Sequence, residues 1–101
     1  MMITLILNLQ NNDGLTLKNG KPIFYKTGWQ VADYGIETRD AQEAAAAIEK
    51  LNGNCGIWFA NGIYYVDHSF RVKTKHEAIA IGRAHKQISV FGWQRKNLAY
   101  C

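Results

Sequence analysis

An Asn-Gly pair near the middle of the chain constrains the fold more than any other feature. Asn61-Gly62 separates two runs rich in aromatic and β-branched residues, 55–60 and 63–72. A type I′ turn needs positive φ at both central positions, and asparagine followed by glycine meets that requirement at the lowest steric cost. The sequence therefore predicts a two-residue β-hairpin with the cross-strand pairs Ala60–Ile63, Phe59–Tyr64, Trp58–Tyr65 and Ile57–Val66.

A helix is predicted directly after this hairpin. Thr74 and Glu77 form a capping box, in which the hydroxyl and the carboxylate satisfy backbone N–H groups that a first helical turn leaves without partners. The helix is expected over residues 75–86, with an apolar face of Ala78, Ile81, Gly82 and His85. Glycine inside a helix costs about 1 kcal/mol relative to alanine. Gly82 is therefore predicted to let the helix approach a sheet closely.

The N-terminal third reads as strands and turns. Residues 2–9 alternate aliphatic and mixed side chains, which predicts a first strand. A second Asn-Gly pair, Asn19-Gly20, predicts another hairpin, but this one would place Pro22 in a strand. Proline cannot donate to a strand ladder, so this hairpin is predicted at a sheet edge or as an excursion from the sheet.

The remaining elements follow from periodicity and turn residues. Residues 27–34 are predicted to form a strand that ends at Gly35. A helix is expected over residues 39–51, capped by Thr38 or Asp40 and stopped by Asn52-Gly53. Its predicted apolar stripe is Ala41, Ala44, Ala45, Ile48 and Leu51. Two further strands are expected at 88–93 and 98–100.

These elements predict an α+β fold, in which two α-helices pack on one face of an antiparallel β-sheet. A chain of 101 residues has room for about one core, so one domain over residues 1–101 is expected. Both faces of the central hairpin are largely apolar. The helices cover one face, and Trp58 and Tyr65 lie on the other, which makes this pair a candidate contact surface. Alternatively, side chains from the first hairpin pack over it.

Charge is distributed unevenly along the chain. Residues 1–70 contain five basic and seven acidic residues, whereas residues 71–101 contain seven basic residues and Glu77 alone. A basic surface of this kind suits nucleic acid or an acidic protein partner, although lysines also simply solubilise a helix face. The predicted partner-binding residues combine this basic third with the aromatic pair: Trp58, Tyr65, Arg71, Lys73, Lys75, Arg83 and Lys86.

One grouping of residues raises the possibility of catalysis. The hairpin register places Cys55 opposite His68, next to Asp67, which brings a thiol and an imidazole together. No nucleophile elbow or oxyanion-hole loop accompanies them, so Asp67 and His68 are interpreted as a cluster at a strand end and no catalytic residue is predicted. The histidines and cysteines lack zinc-ligand spacing, and no phosphate-binding loop is present. Neither a metal nor a cofactor is expected.

The expected location is the cytoplasm. Residues 1–9 lack the basic region of a signal peptide, and no apolar run approaches the length of about 20 residues that spans a membrane. Cys55 and Cys101 are expected to be reduced. The sequence leaves the choice between monomer and homodimer open.

Two segments, YYVDHS at 64–69 and TKHEAIAIGRAHKQISVF at 74–91, resemble small proteins of phages and mobile elements. The size of the chain and its lack of a catalytic constellation are similar to anti-CRISPR proteins. That resemblance implies a non-catalytic inhibitor that binds a host defence complex. Anti-CRISPR proteins are often acidic mimics of nucleic acid, and this basic chain departs from them. The alternative is an accessory protein that binds nucleic acid through its basic third.

Overall fold

The computed structural model describes residues 2–51 and 54–101. Three helices and seven strands account for 27% and 43% of the chain. The helices are α1 (Met2–Leu7), α2 (Ala41–Lys50) and α3 (Lys75–Ala84). The strands are β1 (Asp13–Lys18), β2 (Lys21–Pro22), β3 (Trp29–Thr38), β4 (Cys55–Ala60), β5 (Ile63–Val72), β6 (Ser89–Gly92) and β7 (Asn97–Tyr100).

All seven strands form one curled antiparallel sheet in the order β2-β1-β4-β5-β3-β6-β7. The predicted α+β class is confirmed. The central hairpin β4–β5 has the predicted register from Ala60–Ile63 to Ile57–Val66, and its turn has φ of 54° at Asn61 and 78° at Gly62. The Asn19-Gly20 hairpin also forms, and its short strand β2 with Pro22 lies at the edge of the sheet, as predicted.

The helices pack on one face of this sheet over two clusters of buried side chains. The first cluster joins α1 and α2 to β1, β4 and β5, with Ile6, Ile48 and Ile57 among its buried residues. The second joins α3 to β3, β6 and β7 around Val31 and Val90. The predicted stripe of α2 is confirmed, since all five of its residues belong to the first cluster.

The prediction of a strand over residues 2–9 is wrong, because Met2–Leu7 forms α1. A short apolar run fits both a buried helix and a strand, and only tertiary packing decides between them. Met2, Leu5, Ile6 and Leu9 contact the first cluster, and this spacing is that of one side of a helix. Leu7, which the strand reading placed with the aliphatic face, is 64% exposed.

Strand β3 extends further than predicted. It runs through Gly35 to Thr38, and its pairing with β5 shifts register between Ala32 and Tyr34, so Asp33 forms a β-bulge. Gly35 does not end the strand, because β5 pairs with it there and leaves no room for a side chain. A Cβ at Gly35 would meet the carbonyl oxygen of Val66.

Both long helices are capped by a predicted residue, although α2 begins at Ala41, two residues later than predicted. The Asp40 side chain accepts a hydrogen bond from the Gln42 N–H, and the Thr74 hydroxyl accepts one from Glu77. The predicted stop at Asn52-Gly53 lies outside the described residues. Helix α3 ends at Ala84, two residues earlier than predicted, so His85 is exposed after the helix instead of facing the core.

Gly82 has the predicted role. It is buried against the C-terminus, where an added Cβ would lie 2.6 Å from the Cys101 Sγ and 3.3 Å from Val90 Cγ1. Close approach of α3 to the sheet therefore depends on the missing side chain.

Candidate functional site: the open face of the sheet

The face of the sheet opposite the helices forms a concave groove of about 840 Å³. We call it the open groove. Alternate residues of each strand point into it, because side chains along a strand alternate between the two faces. Its lining is dominated by aromatic and aliphatic side chains, which include Phe24, Tyr25, Trp58, Tyr65, Phe91, Trp93 and Leu98. A volume of this size lies in the range of sites that hold small molecules or peptide side chains.

The predicted aromatic pair lies in this groove. Trp58 and Tyr65 are directly paired across β4 and β5, with ring centroids 5.7 Å apart. Trp58 is 49% exposed. Phe24 and Tyr25, in the connection from β2 to β3, line the same groove, and the Tyr25 ring packs edge-on against Trp93. The alternative, that residues of the first hairpin pack over Trp58 and Tyr65, stays a prediction.

Asp67 occupies a notch in the floor of the open groove. Gly56 on β4 and Gly35 on β3 pair with it from either side. An added Cβ would lie 2.9 Å from the Asp67 Oδ1 at Gly56 and 2.8 Å from the Asp67 Cβ at Gly35. Because glycine has no side chain, Asp67 supplies the one functional group in the row formed by Gly56, Asp67 and Gly35. We call these three residues the Asp67 notch.

Burial raises the pKa of Asp67 to about 7, because removal from water disfavours the charged carboxylate. A hydrogen bond from the Gly56 backbone and the proximity of His68 oppose this shift, whereas the charge of Asp33 adds to it. The interpretation of Asp67 as part of a strand-end cluster is wrong, since β5 continues for five more residues. Alternation along β5 predicts that Asp67 lies on the same face as Tyr65, and this prediction is confirmed.

The thiol and imidazole that the hairpin register brings together are not arranged as a nucleophile pair. Cys55 does pair with His68, but its side chain is fully buried in the first cluster. Burial, with a smaller contribution from the charge of Asp67, raises the pKa of Cys55 to about 11, which disfavours a thiolate at neutral pH. The His68 Nδ1 instead lies 2.8 Å from the Asp33 Oδ1, and the Tyr34 ring stacks on the imidazole.

The predicted basic residues do not gather on one surface. Lys86 lines the open groove, and so does Lys96, which was not predicted. Three others contact separate parts of the chain. The Arg71 Nε donates to the Thr27 carbonyl, the Lys75 ammonium lies 5.9 Å from the centre of the Trp29 ring, and the Arg83 Nε donates to the Cys101 carbonyl.

Lys73 is exposed in the turn between β5 and α3. Lys73 does not line the groove. Lys86 lines it together with Trp58 and Tyr65, and Arg71 lies on the same face of β5, with its guanidinium 5.4 Å from the centre of the Tyr25 ring.

Sequence reasoning missed a hydrogen-bonded chain along the groove. The Trp93 indole N–H donates to the Gln30 Oε1, and the Gln30 Nε2 donates to the Ser69 hydroxyl, each at 3.1 Å. It also missed Glu37, which lines the groove and pairs with Tyr65. The bulge at Asp33 explains the second omission: it moves Glu37 to the face opposite the one that uninterrupted alternation from Val31 assigns.

Among residues 2–51 and 54–101, no three histidine, cysteine or acidic side chains are close enough to hold a metal ion. In the same part of the chain, no helix has the length and apolar character that crossing a membrane requires. Comparisons with protein-family models, curated proteins and solved structures give no match. The geometry of the open groove is therefore the basis for a functional interpretation.

Proposed function

We propose that this chain is a non-catalytic binding protein that holds a segment of a partner protein in the open groove. The observation that carries the proposal is a concave sheet face left uncovered by the helices, with Trp58 half exposed in its lining. A monomeric protein rarely leaves a large concave apolar surface in water unless another molecule covers it. Tryptophan and tyrosine are also the residues most enriched among those that dominate binding energy at interfaces.

The class of partner that we propose is a component of a host defence complex of the CRISPR-Cas type. This part of the proposal rests on the resemblance of residues 64–69 and 74–91 to phage and mobile-element proteins. An inhibitor of this kind acts stoichiometrically, by occupying a surface of its target. It needs a preformed contact surface and no catalytic group, and the open groove supplies such a surface.

The test is inhibition of target cleavage by purified CRISPR-Cas effector complexes. Wild-type protein is expected to inhibit a susceptible complex at a near-equimolar ratio. Trp58→Ala is expected to weaken inhibition at least about tenfold, because a central aromatic side chain at an interface contributes a large share of its affinity. Leu7→Ala is a matched control, since Leu7 is also an exposed apolar residue but lies on α1, away from the groove.

Lys73→Ala separates the groove from the basic residues as the contact surface. We expect this variant to inhibit as wild type does. Loss of inhibition in Lys73→Ala with retention in Trp58→Ala would assign the contact to the basic turn instead. Failure of the wild type to bind or inhibit any effector complex would refute the proposed partner class.

Nucleic-acid binding is the second candidate, and Lys86 and Lys96 favour it. Both line the open groove together with Phe91 and Trp93, so phosphate contacts and stacking surfaces adjoin one another. Binding to random-sequence single-stranded DNA and RNA should then weaken steeply with salt, because each lysine–phosphate contact releases counterions. A Lys86→Gln/Lys96→Gln variant should reduce that slope, and absence of salt-dependent binding would reject this function.

A further inference from the structure

We propose that Asp67, Glu37, Trp58 and Tyr65 form a subsite for the cationic end of a lysine or arginine side chain, presented by the partner segment in the open groove. This inference rests on the proposed binding function and specifies what the groove recognises. Neither the sequence pattern nor the partner class assigns the subsite.

The four residues occupy adjacent rows of the sheet. Tyr65 pairs with Trp58 on one side and with Glu37 on the other, which places two aromatic rings and a carboxylate in one row. Asp67 is two residues further along β5 and points to the same face. The Asp67 carboxyl lies over Gly56, where an added Cβ would be 2.9 Å from its Oδ1, and Asp67 lines the open groove from there.

This combination matches the chemistry of an alkylammonium or guanidinium group. Aromatic faces attract a cation through their quadrupole, and the attraction strengthens where water is partly excluded. A carboxylate adds a charge-assisted hydrogen bond to the same group. The apolar stem of lysine or arginine can meanwhile lie along the Trp58 and Tyr65 rings, so the side chain satisfies both parts of the subsite.

A cationic ligand would stabilise the charged form of Asp67. Its carboxylate lies where burial disfavours the charge, and this effect exceeds the opposing ones of the Gly56 backbone hydrogen bond and His68. The titratable neighbours are Cys55 on β4, His68 on β5, and Asp33 and Glu37 on β3. Of these only His68 opposes the raised pKa. A bound cation would stabilise the ionised form, so binding should release a proton from Asp67 near neutral pH.

The lysines of the groove belong to a different part of it. Lys86 precedes β6 and Lys96 lies in the β6–β7 turn, whereas Asp67 and Glu37 belong to β5 and β3. The two carboxylates thus lie on β5 and β3, whereas the two lysines lie in the connections before and after β6.

The experiment is an NMR titration of the ¹⁵N-labelled full chain with n-butylammonium chloride, with n-butanol as the neutral isostere and sodium butyrate as the anionic one. We expect the cation to shift the Gly35 and Gly56 amide signals and the Trp58 indole signal. Its affinity should exceed that of n-butanol at least about fivefold. It should also rise between pH 6 and pH 8.

Two variants assign the effect to the carboxylates. Asp67→Asn should lose the rise with pH, and Glu37→Gln should weaken binding of the cation without changing that of n-butanol. Lys50→Gln is the control, since Lys50 is an exposed lysine on α2 that does not line the groove, and its removal should not weaken cation binding. Equal binding of the cation and n-butanol, preference for butyrate, or an unchanged pH dependence in Asp67→Asn would each overturn the subsite.

The subsite and the proposed function fail in different ways. The probes bind without a partner, so cation preference can be observed even if no effector complex is inhibited. If inhibition depends on Trp58 while Asp67→Asn and Glu37→Gln inhibit at wild-type potency, the groove binds a partner and the subsite alone is rejected.

Discussion

The two faces of the sheet are built from neighbouring residues on the same strands, yet they differ in what covers them. On β4, Ile57 is buried to 3% exposure beneath the helices, whereas Trp58, the next residue, is 49% exposed in the open groove. On β5, Val66 is buried and Tyr65 and Asp67 face the groove. Both faces carry large apolar side chains. The hydrophobicity of the residues alone therefore does not distinguish a face that stabilises the fold from a face that can bind a ligand.

The covering elements make the difference. Helices α1, α2 and α3 cover most of one face, although Tyr34 and Ile36 on β3 stay exposed there. Burial of that apolar area is the main stabilising contribution of such a core. On the other face, no helix lies over the groove in the described part of the chain, and connecting segments contribute some of its lining, among them Phe24 and Tyr25 between β2 and β3. Stability should depend mainly on the first face and binding mainly on the second.

The largest expected effect comes from a pair of substitutions at adjacent positions. Ile57→Ala should lower the free energy of unfolding by about 2–4 kcal/mol, because it leaves a cavity in the first cluster. Trp58→Ala should change it by less than about 1 kcal/mol, because the side chain is half exposed. Urea denaturation followed by circular dichroism measures both. Similar losses for the two variants would show that the open face is part of the stabilising core.

Asp67 provides a test of how far the open face is shielded from water. Its pKa is about 7 in the fold and near 4 in an unfolded chain, so the folded state holds the proton more tightly between these values. Stability should therefore fall as the pH rises from about 4 to about 7 and then level off. Asp67→Asn cannot ionise and should lack this contribution.

The difference between wild type and Asp67→Asn is expected to reach about 1–3 kcal/mol at pH 8, with the variant the more stable. Chemical denaturation at several pH values measures it, and other carboxylates cancel because both proteins contain them. Parallel stability profiles for the two proteins would mean that water reaches the Asp67 carboxyl freely, and that the floor of the groove resembles ordinary surface.

The smallest effect compares two glycines. Gly82→Ala should destabilise the fold by about 1 kcal/mol, since overpacking against Cys101 outweighs the gain in helix propensity. Cys101→Ala in the same chain should recover most of that loss. Gly14→Ala is the control on the open face, where an added Cβ would lie 3.4 Å from its nearest neighbour, an ordinary contact. The midpoint temperature of thermal unfolding compares these variants with wild type. A higher midpoint for Gly82→Ala than for wild type would contradict the tight packing of α3.

Local signals predicted much of the fold because they act over a few residues. Asn61-Gly62 sets the hairpin register through its φ angles, and Asp40 and Thr74 cap their helices through hydrogen bonds to the next turn. The same register placed Trp58, Tyr65 and Asp67 on one face. These parts of the candidate site were readable from the sequence.

Other features of the site depend on residues distant in the chain. Asp33 forms a bulge only because β3 pairs with β5, and that bulge carries Glu37 to the groove. The pairing of Gly35 and Gly56 with Asp67 creates the notch, whereas the sequence indicated Gly35 only as the end of a strand and gave no role to Gly56. The sequence suggested that the basic residues of 71–101 form one surface, but Arg71, Lys75 and Arg83 contact different parts of the chain.

By itself, the sequence determined the elements whose information is local: the central hairpin, the caps of α2 and α3, and the alternation that separates Trp58 from Ile57. The tertiary structure alone decided whether residues 2–7 would be a helix or a strand, which face the helices would cover, and which groups would surround Asp67. These outcomes follow from competition among segments for the same apolar surface. Packing across the whole chain decides which segment covers that surface, so no short stretch of sequence predicts it.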